Sequence, residues 1–374
     1  MPIAPVDDQG TVLFYEDSGI LSSDEPYTTL VLIHGLMYTS DIFSKLLPFA
    51  AQYRLRLIRV NQRDYPPSTL FTPSEIEEFV STDKDTQYQG LAKRGAEIAN
   101  LLIYLINNLK LPPISTGINA EIAGGVCVLG WSLGSHLPLA LLSNASALPR
   151  EIQLQLQRYL RSTVLFDPSM FPVGVPIPPI VFTPNRPKGL YWPSFDESIS
   201  LEERTLRFGP WVSSYYDPIE NISSVTLETL GERLAIQDLR EDALRALNVG
   251  LWKKVPTLQR FIPEELAALS SPESAARYFE TFGKLDISIH GQSFRRALGL
   301  DAELLTWPEC KLILVWCDMT LVDCTIASST VVQLLNDEGP RIRRRVEVEK
   351  LAGSNHFPHW DEPEKVVSFL VNYI

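Results

Sequence analysis

The residues Gly130-Trp131-Ser132-Leu133-Gly134 place a serine between two glycines, directly after the apolar run Gly125-Val-Cys-Val-Leu-Gly130. A serine that must project from a tight strand-to-helix turn needs small neighbours, because flanking side chains would clash. The following helix would offer free backbone N–H groups and the positive end of its dipole, a setting suited to a developing oxyanion. Such a serine requires a base, and the chain has five histidines, His34, His136, His290, His356 and His359. His356 stands out, since it lies just beyond the last strand-like run and before an acidic, Pro-containing helix start at Asp361-Glu-Pro-Glu. A histidine in that place can accept the serine proton and later deliver one to a leaving group. A carboxylate must then orient the imidazole.

These groups need a scaffold, and the apolar pattern supplies one. Strand-like runs occur at Thr11–Tyr15, Tyr27–His34, Leu55–Val60, Gly125–Gly130, Thr163–Phe166, Leu312–Trp316 and Val346–Leu351. Several are apolar throughout, as in strands buried on both faces. Helical periodicity falls at Ser40–Tyr53, about Thr86–Leu109, after Gly134, and at Asp361–Tyr373. Alternation of strand and helix predicts an α/β fold with a mostly parallel central sheet and helices on both faces. The rhythm breaks between about 168 and 308, a stretch that begins Pro-rich and becomes helical. Eight of the 28 Pro lie between Pro168 and Pro193, where fixed φ and missing donors restrain the chain.

Three motifs give the chain a resemblance to the α/β-hydrolase superfamily, and more closely to lidded serine hydrolases of fungal secondary metabolism. They are His34-Gly35, GWSLG at 130–134, and Gly353-Ser-Asn-His-Phe-Pro-His359. The resemblance covers about residues 11–168 and 309–374. It implies the α/β-hydrolase fold with a core of 1–168 and 309–374, and a mainly helical lid inserted at 169–308. It further implies Ser132 as nucleophile, His356 as general base, and an oxyanion hole of the Leu36 and Leu133 backbone N–H groups, with Met37 the alternative to Leu36. Many relatives carry the acid in a Gly-x-x-Asp loop. Here the matching stretch is Cys317-Asp318-Met319-Thr320, with Thr320 at the acid position. A subset of relatives places the acid three residues later, which is Asp323. Asp318 at the strand end and Asp167 after the Thr163–Phe166 strand are the alternatives, and chain order admits all three. His359 and His34 read as structural, and His136 has no readable direction. His290 lies in the inserted stretch.

The aromatic residues of that stretch include Tyr191, Trp192, Phe195, Phe208, Trp211, Tyr215, Tyr216, Trp252, Phe261, Tyr278, Phe279 and Phe282. Most should pack the insertion itself, and a few should line an apolar pocket between it and the sheet. Trp131, Trp192, Trp211 and Tyr215 are the expected substrate contacts, and the loop Arg63–Ser68 should border the site. The fit is to a serine hydrolase of a small apolar ester, lactone or thioester, acting through an acyl-enzyme. The alternatives are lyase, C–C hydrolase or acyl-transfer chemistry on the same triad, favoured if water is excluded, and a non-catalytic binding protein on the same fold.

Composition narrows the field. The 374 residues carry 33 Lys and Arg against 45 Asp and Glu, a formal charge of −12, which disfavours nucleic acid as a partner. The basic run Arg341–Arg345 reads as a solvated surface. No run of 18 apolar residues predicts a membrane span, and Met1–Asp8 lacks the pattern of a signal peptide, so a cytoplasmic protein is expected. Cys127, Cys310, Cys317 and Cys324 read as buried thiols rather than metal ligands or disulfides. No metal, nucleotide or flavin motif is present, and no cofactor is expected.

Overall fold

The computed structural model describes residues 2–20, 27–116, 122–236 and 254–374. Its centre is an eight-stranded sheet in the order β1-β2-β4-β3-β7-β8-β9-β10. The strands are β1 (Ile3–Pro5), β2 (Val12–Asp17), β3 (Thr28–Ile33), β4 (Leu55–Val60), β7 (Val126–Trp131), β8 (Leu160–Phe166), β9 (Lys311–Cys317) and β10 (Val346–Leu351). A separate two-stranded pair joins β5 (Ser115–Thr116) to β6 (Ile122–Ala123). Strands β4, β3, β7, β8, β9 and β10 run parallel, and β1 and β2 add antiparallel pairs at one edge. This is the mostly parallel α/β sheet that the alternation of strand and helix predicts, and it agrees with the α/β-hydrolase fold that the resemblance implies.

The central strands are apolar throughout because both faces of the sheet are covered. Side chains alternate across a strand, so Val31 and Ile33 enter one core with Val126 and Val128. Their neighbours Leu30 and Leu32 enter the other with Cys127 and Leu129. Helices α3 (Lys84–Leu109) and α4 (His136–Ser143) contribute to the first core. There the two helices cross closely at Gly95, where a Cβ would lie 2.3 Å from the Ala140 carbonyl oxygen.

The predicted helix over 40–53 is instead a 3₁₀ segment (Ser40–Leu46), the short α1 (Leu47–Ala50) and a second 3₁₀ turn (Ala51–Tyr53). The closing helix is likewise two pieces, α12 (Pro358–Asp361) and α13 (Pro363–Leu370). Pro363 causes the break, since the residue before a proline avoids helical geometry and Glu362 sits at φ −135. Further helices are α2 (Pro73–Val80), α5 (Arg150–Gln157) and α11 (Val322–Glu338).

Between Asp167 and β9 the described residues add no strand to the main sheet. The Pro-rich entry forms short 3₁₀ turns, at Phe171–Val173, Pro179–Phe182, Lys188–Leu190 and Pro193–Phe195. The helices α6 (Leu201–Ser213), α7 (Leu227–Glu232), α8 (Pro263–Leu269), α9 (Pro272–Glu280) and α10 (Ile287–Ala297) follow. The last of these is no loose appendage: α10 packs on α4, and its Phe294 and Ala297 join the first core. Trp252 lies outside the described residues.

The basic run at 341–345 departs from the expected solvated surface at one point. Arg344 is buried, and its guanidinium donates to the carbonyls of Ala297, Thr306, Trp307 and Cys310. Buried carbonyls at the end of α10 need donors, and Arg344 supplies them. All four cysteines are buried and free. Among the described residues no helix is long and apolar enough to cross a membrane.

Candidate active site

The parallel strands end on one edge, and the chemistry gathers there. Register pairs Ile33 with Gly130 and Trp131 with Phe166, so the residues that follow β3, β7 and β8 come out side by side. Ligands of open α/β sheets bind at this carboxyl edge.

Ser132 takes φ +56, in the left-handed region that L-residues adopt at a cost of about 1–2 kcal/mol. The turn leaves no room for larger neighbours. A Cβ on Gly130 would meet the Gly134 carbonyl at 2.5 Å, and one on Gly134 would meet the His34 carbonyl at 2.3 Å. Gly35 approaches from β3, its Cβ position 3.0 Å from the Ser132 Cβ. The glycines at 35, 130 and 134 thus let the β3 and β7 turns close against each other around the serine.

The oxyanion candidates separate on hydrogen bonding. The Met37 N–H donates to the Tyr65 hydroxyl at 3.0 Å and is therefore engaged. Leu36 and Leu133 both line the cavity beside Ser132, and Leu133 stands in the first turn after β7, where backbone N–H groups lack helical partners. The loop Arg63–Ser68 thus acts through Tyr65 on the Met37 backbone, and it does not line this cavity.

His356 follows β10. Its carbonyl accepts from the Trp131 indole at 3.0 Å, which ties the histidine loop to the serine turn. Its Nδ1 donates to Asp167 Oδ2 at 2.6 Å, with both side chains at 3% exposure or less. Asp167 sits at φ +46 immediately after β8. It accepts two further hydrogen bonds, from the Cys317 N–H at 3.0 Å and the Thr320 hydroxyl at 2.5 Å. The loop carrying Thr320 is in turn clamped by the buried Arg233, whose guanidinium donates to the carbonyls of Asp318 and Thr320.

The expectation that Asp323 reaches His356 is corrected by this geometry. Asp323 lies in the first turn of α11, and its Oδ1 accepts from the Met170 N–H at 3.0 Å. Burial, with Asp167 nearby, pushes its carboxyl up to about 7. Asp318 also fails to reach the imidazole: its Oδ1 accepts from the Ser354 N–H at 3.3 Å. Asp323 is held in the first turn of α11 by the Met170 N–H, and the Nδ1 face of His356 is already occupied by Asp167. The sequence did hold a signal for Asp167, a single acidic residue closing a strand that is otherwise buried.

The other histidines stay out of the cavity. His34 Nδ1 donates to the Gly35 carbonyl at 2.8 Å while its Nε2 accepts from the Gln62 N–H at 3.1 Å. His136 faces inward, with Nδ1 2.5 Å from the Leu133 carbonyl. Burial lowers both imidazoles to about 4, and that of His290 to about 3. His359 is enclosed by Phe43, Trp131, Phe166 and Phe357. Burial pushes it well below the ordinary range.

Ser132 and His356 open onto a cavity of about 540 Å³. Its wall is apolar for the most part, with Met37, Phe171, Ile177, Phe195, Phe208, Phe279 and Phe357 among the lining residues. Of the expected contacts, Trp131, Trp192 and Trp211 line it. Tyr215 does not. Its hydroxyl donates to Asp361 Oδ2 at 2.6 Å, and its ring packs with Ile236 and Met319. The polar tip was satisfied elsewhere, which the aromatic pattern could not reveal. Asp323 and Arg204 are lining residues that the sequence did not single out as such.

Asp167, Cys324 and His356 are the one convergent set of metal-ligand types among the described residues, within 4.8 Å of one another. The Cys324 Sγ is 3.4 Å from His356 Nδ1, but burial and nearby carboxylates hold the thiol far above its ordinary pKa. A protonated thiol is a poor metal ligand, and Asp167 already takes the Nδ1 proton.

The family model of the alpha/beta hydrolase family matches residues 30–369. No curated protein matches the chain. Among solved structures, a bromoperoxidase from Bacillus anthracis is similar at 14% identity and TM-score 0.48, covering 99% of this chain and 98% of that one. An esterase from Exiguobacterium antarcticum is similar at 15% identity and TM-score 0.47, covering 98% and 96%. A thermophilic esterase from Thermogutta terrifontis shares 14% identity at TM-score 0.41, covering 99% and 96%.

Proposed function

The chain belongs to the alpha/beta hydrolase family, and on that premise we propose that it is a serine hydrolase of apolar esters, lactones or thioesters. The observation that carries the proposal is the coincidence of three features at one cavity. Ser132 stands on a left-handed turn, His356 opens beside it, and Asp167 holds the far nitrogen of that histidine. In this reading Ser132 Oγ attacks the carbonyl carbon while His356 Nε2 takes its proton. Asp167 fixes the Nδ1–H tautomer and stabilises the imidazolium. The Leu36 and Leu133 N–H groups hold the oxyanion. His356 then protonates the leaving group, and water activated by the same histidine resolves the acyl-enzyme.

The apolar wall supports a substrate that is mostly hydrocarbon around its carbonyl. Residues 169–308 act as a lid over the core formed by 1–168 and 309–374, and the lid supplies Trp192, Phe208 and Trp211 to the cavity. The resemblance to fungal secondary-metabolism hydrolases rests on the three motifs and fits a substrate of this kind.

Hydrolysis of p-nitrophenyl esters of rising chain length tests the proposal. Turnover should rise from acetate to medium chains and vanish in Ser132→Ala. Equal turnover by Ser132→Ala would overturn it.

A further inference from the structure

Asp323 plays no part in holding His356, yet it is an acidic residue on the wall of the same cavity. One of its oxygens accepts the Met170 N–H, which leaves the other for whatever occupies the space. Among the described residues no Lys or Arg pairs with it. We infer that Asp323 is a specificity residue, whose carboxyl donates a hydrogen bond, as the neutral acid, to a second oxygen on an otherwise apolar substrate. The substrate class is therefore an ester, lactone or thioester that bears a ketone, hydroxyl or ether oxygen besides the scissile carbonyl. This rests on the serine-hydrolase reading of the site.

The surroundings favour the neutral form. Burial in an apolar wall disfavours the carboxylate and outweighs the Met170 N–H, which favours it, and the neighbouring charge from the end of β8 is Asp167, which repels it. From α9 it is faced by the Tyr278 phenol, and from its own helix by the Cys324 thiol. Burial raises both far above their ordinary values, so they stay protonated. His356 lies on the loop after β10, and Arg204 of α6 reaches the wall with its Nε committed to the Ile199 carbonyl at 3.3 Å. With burial pushing Asp323 to about 7, the donor is present below neutrality and lost above it. A neutral carboxylic acid with a free O–H in an apolar cavity needs an acceptor, since an unmatched polar group there is costly.

The test compares p-nitrophenyl octanoate with analogues bearing one ketone at successive positions along the acyl chain. The quantity read is the ratio of kcat/KM for ketone and plain ester, which cancels changes common to both. The wild type should prefer at least one ketone ester by about tenfold at about pH 6, and lose that preference by about pH 8.5. Asp323→Asn should keep a preference that no longer depends on pH, because its amide donates without titrating. Asp323→Leu should show none. Absence of preference in the wild type, a preference that ignores pH, or one that survives in Asp323→Leu would overturn the inference. Fluorophosphonate labelling of the wild type, compared with Ser132→Ala, separates the two levels. Labelling and octanoate turnover without ketone preference sink only the Asp323 role, whereas absent labelling sinks the serine-hydrolase reading beneath it.

Discussion

Replacing Asp167 by Asn tests which carboxylate serves the histidine. The substitution is nearly isosteric, so the amide oxygen can still accept from the Cys317 N–H. The oxygen facing His356 Nδ1 and the Thr320 hydroxyl becomes an NH₂ group or turns away. An NH₂ there donates to Nδ1 and forces the proton onto Nε2, the tautomer that cannot accept from Ser132. The imidazolium also loses a buried counter-charge. At an effective dielectric of about 20 and a separation of about 4 Å, that attraction is about 4 kcal/mol. This corresponds to about 10³-fold in rate, and the wrong tautomer brings the expected loss in kcat to about 10³–10⁴. The assay is p-nitrophenyl octanoate hydrolysis, with thermal unfolding recorded alongside to establish that the variant folds. Asp323→Asn and Asp318→Asn should each cost less than about tenfold on that plain ester. A loss of about 10³ or more in Asp323→Asn, with a mild effect in Asp167→Asn, would show instead that Asp323, the acid the resemblance implied, serves the histidine.

Thr320→Val removes one of three donors to Asp167 without changing side-chain volume, and should lower kcat by about tenfold to a hundredfold with KM little changed. Steady-state kinetics at saturating ester checks it. Gly95→Ala drives a Cβ into the Ala140 carbonyl between α3 and α4 and should destabilise by about 1–3 kcal/mol in urea unfolding. Acid should unfold the protein early. His34, His136 and His290 stay neutral in the fold down to about 4, 4 and 3, while the unfolded chain protonates them below about 6.5. The unfolded state therefore binds more protons as pH falls from about 6.5 to about 4, and stability drops through that window. At about pH 5 the three cost about 6 kcal/mol, of which protonation of Asp323 returns about 2, so the urea midpoint should fall markedly between pH 7 and pH 5.

The legible part of the molecule is the part that one local segment decides. Buried parallel strands need apolar residues at nearly every position, so β3, β7 and β9 could be read from their apolar runs, whereas β10, half-buried at the sheet edge, showed only alternation with Glu347 and Glu349. The serine turn was legible because sterics demand its glycines. The identity of the acid was not local. Asp167 and Asp323 lie at the ends of different elements, and long-range packing sets Asp167 against the imidazole and Asp323 against the Met170 N–H. Tyr215 failed for a related reason, because a polar tip satisfied by Asp361 at 146 residues' distance leaves no mark in a sequence window. The Pro-rich entry to the insertion was readable as irregular chain. The integration of α10 into the core was not, since it depends on packing against α4. Arg344 looked like a surface charge until the carbonyls it serves were placed around it.

The most direct test of the central claim is to treat the protein with a fluorophosphonate and map the adduct by peptide mass spectrometry. A single adduct on Ser132 is expected, absent in Ser132→Ala and slowed by at least about 10³-fold in His356→Ala. An adduct on another residue, or labelling of Ser132 that proceeds unchanged without His356, would contradict that claim.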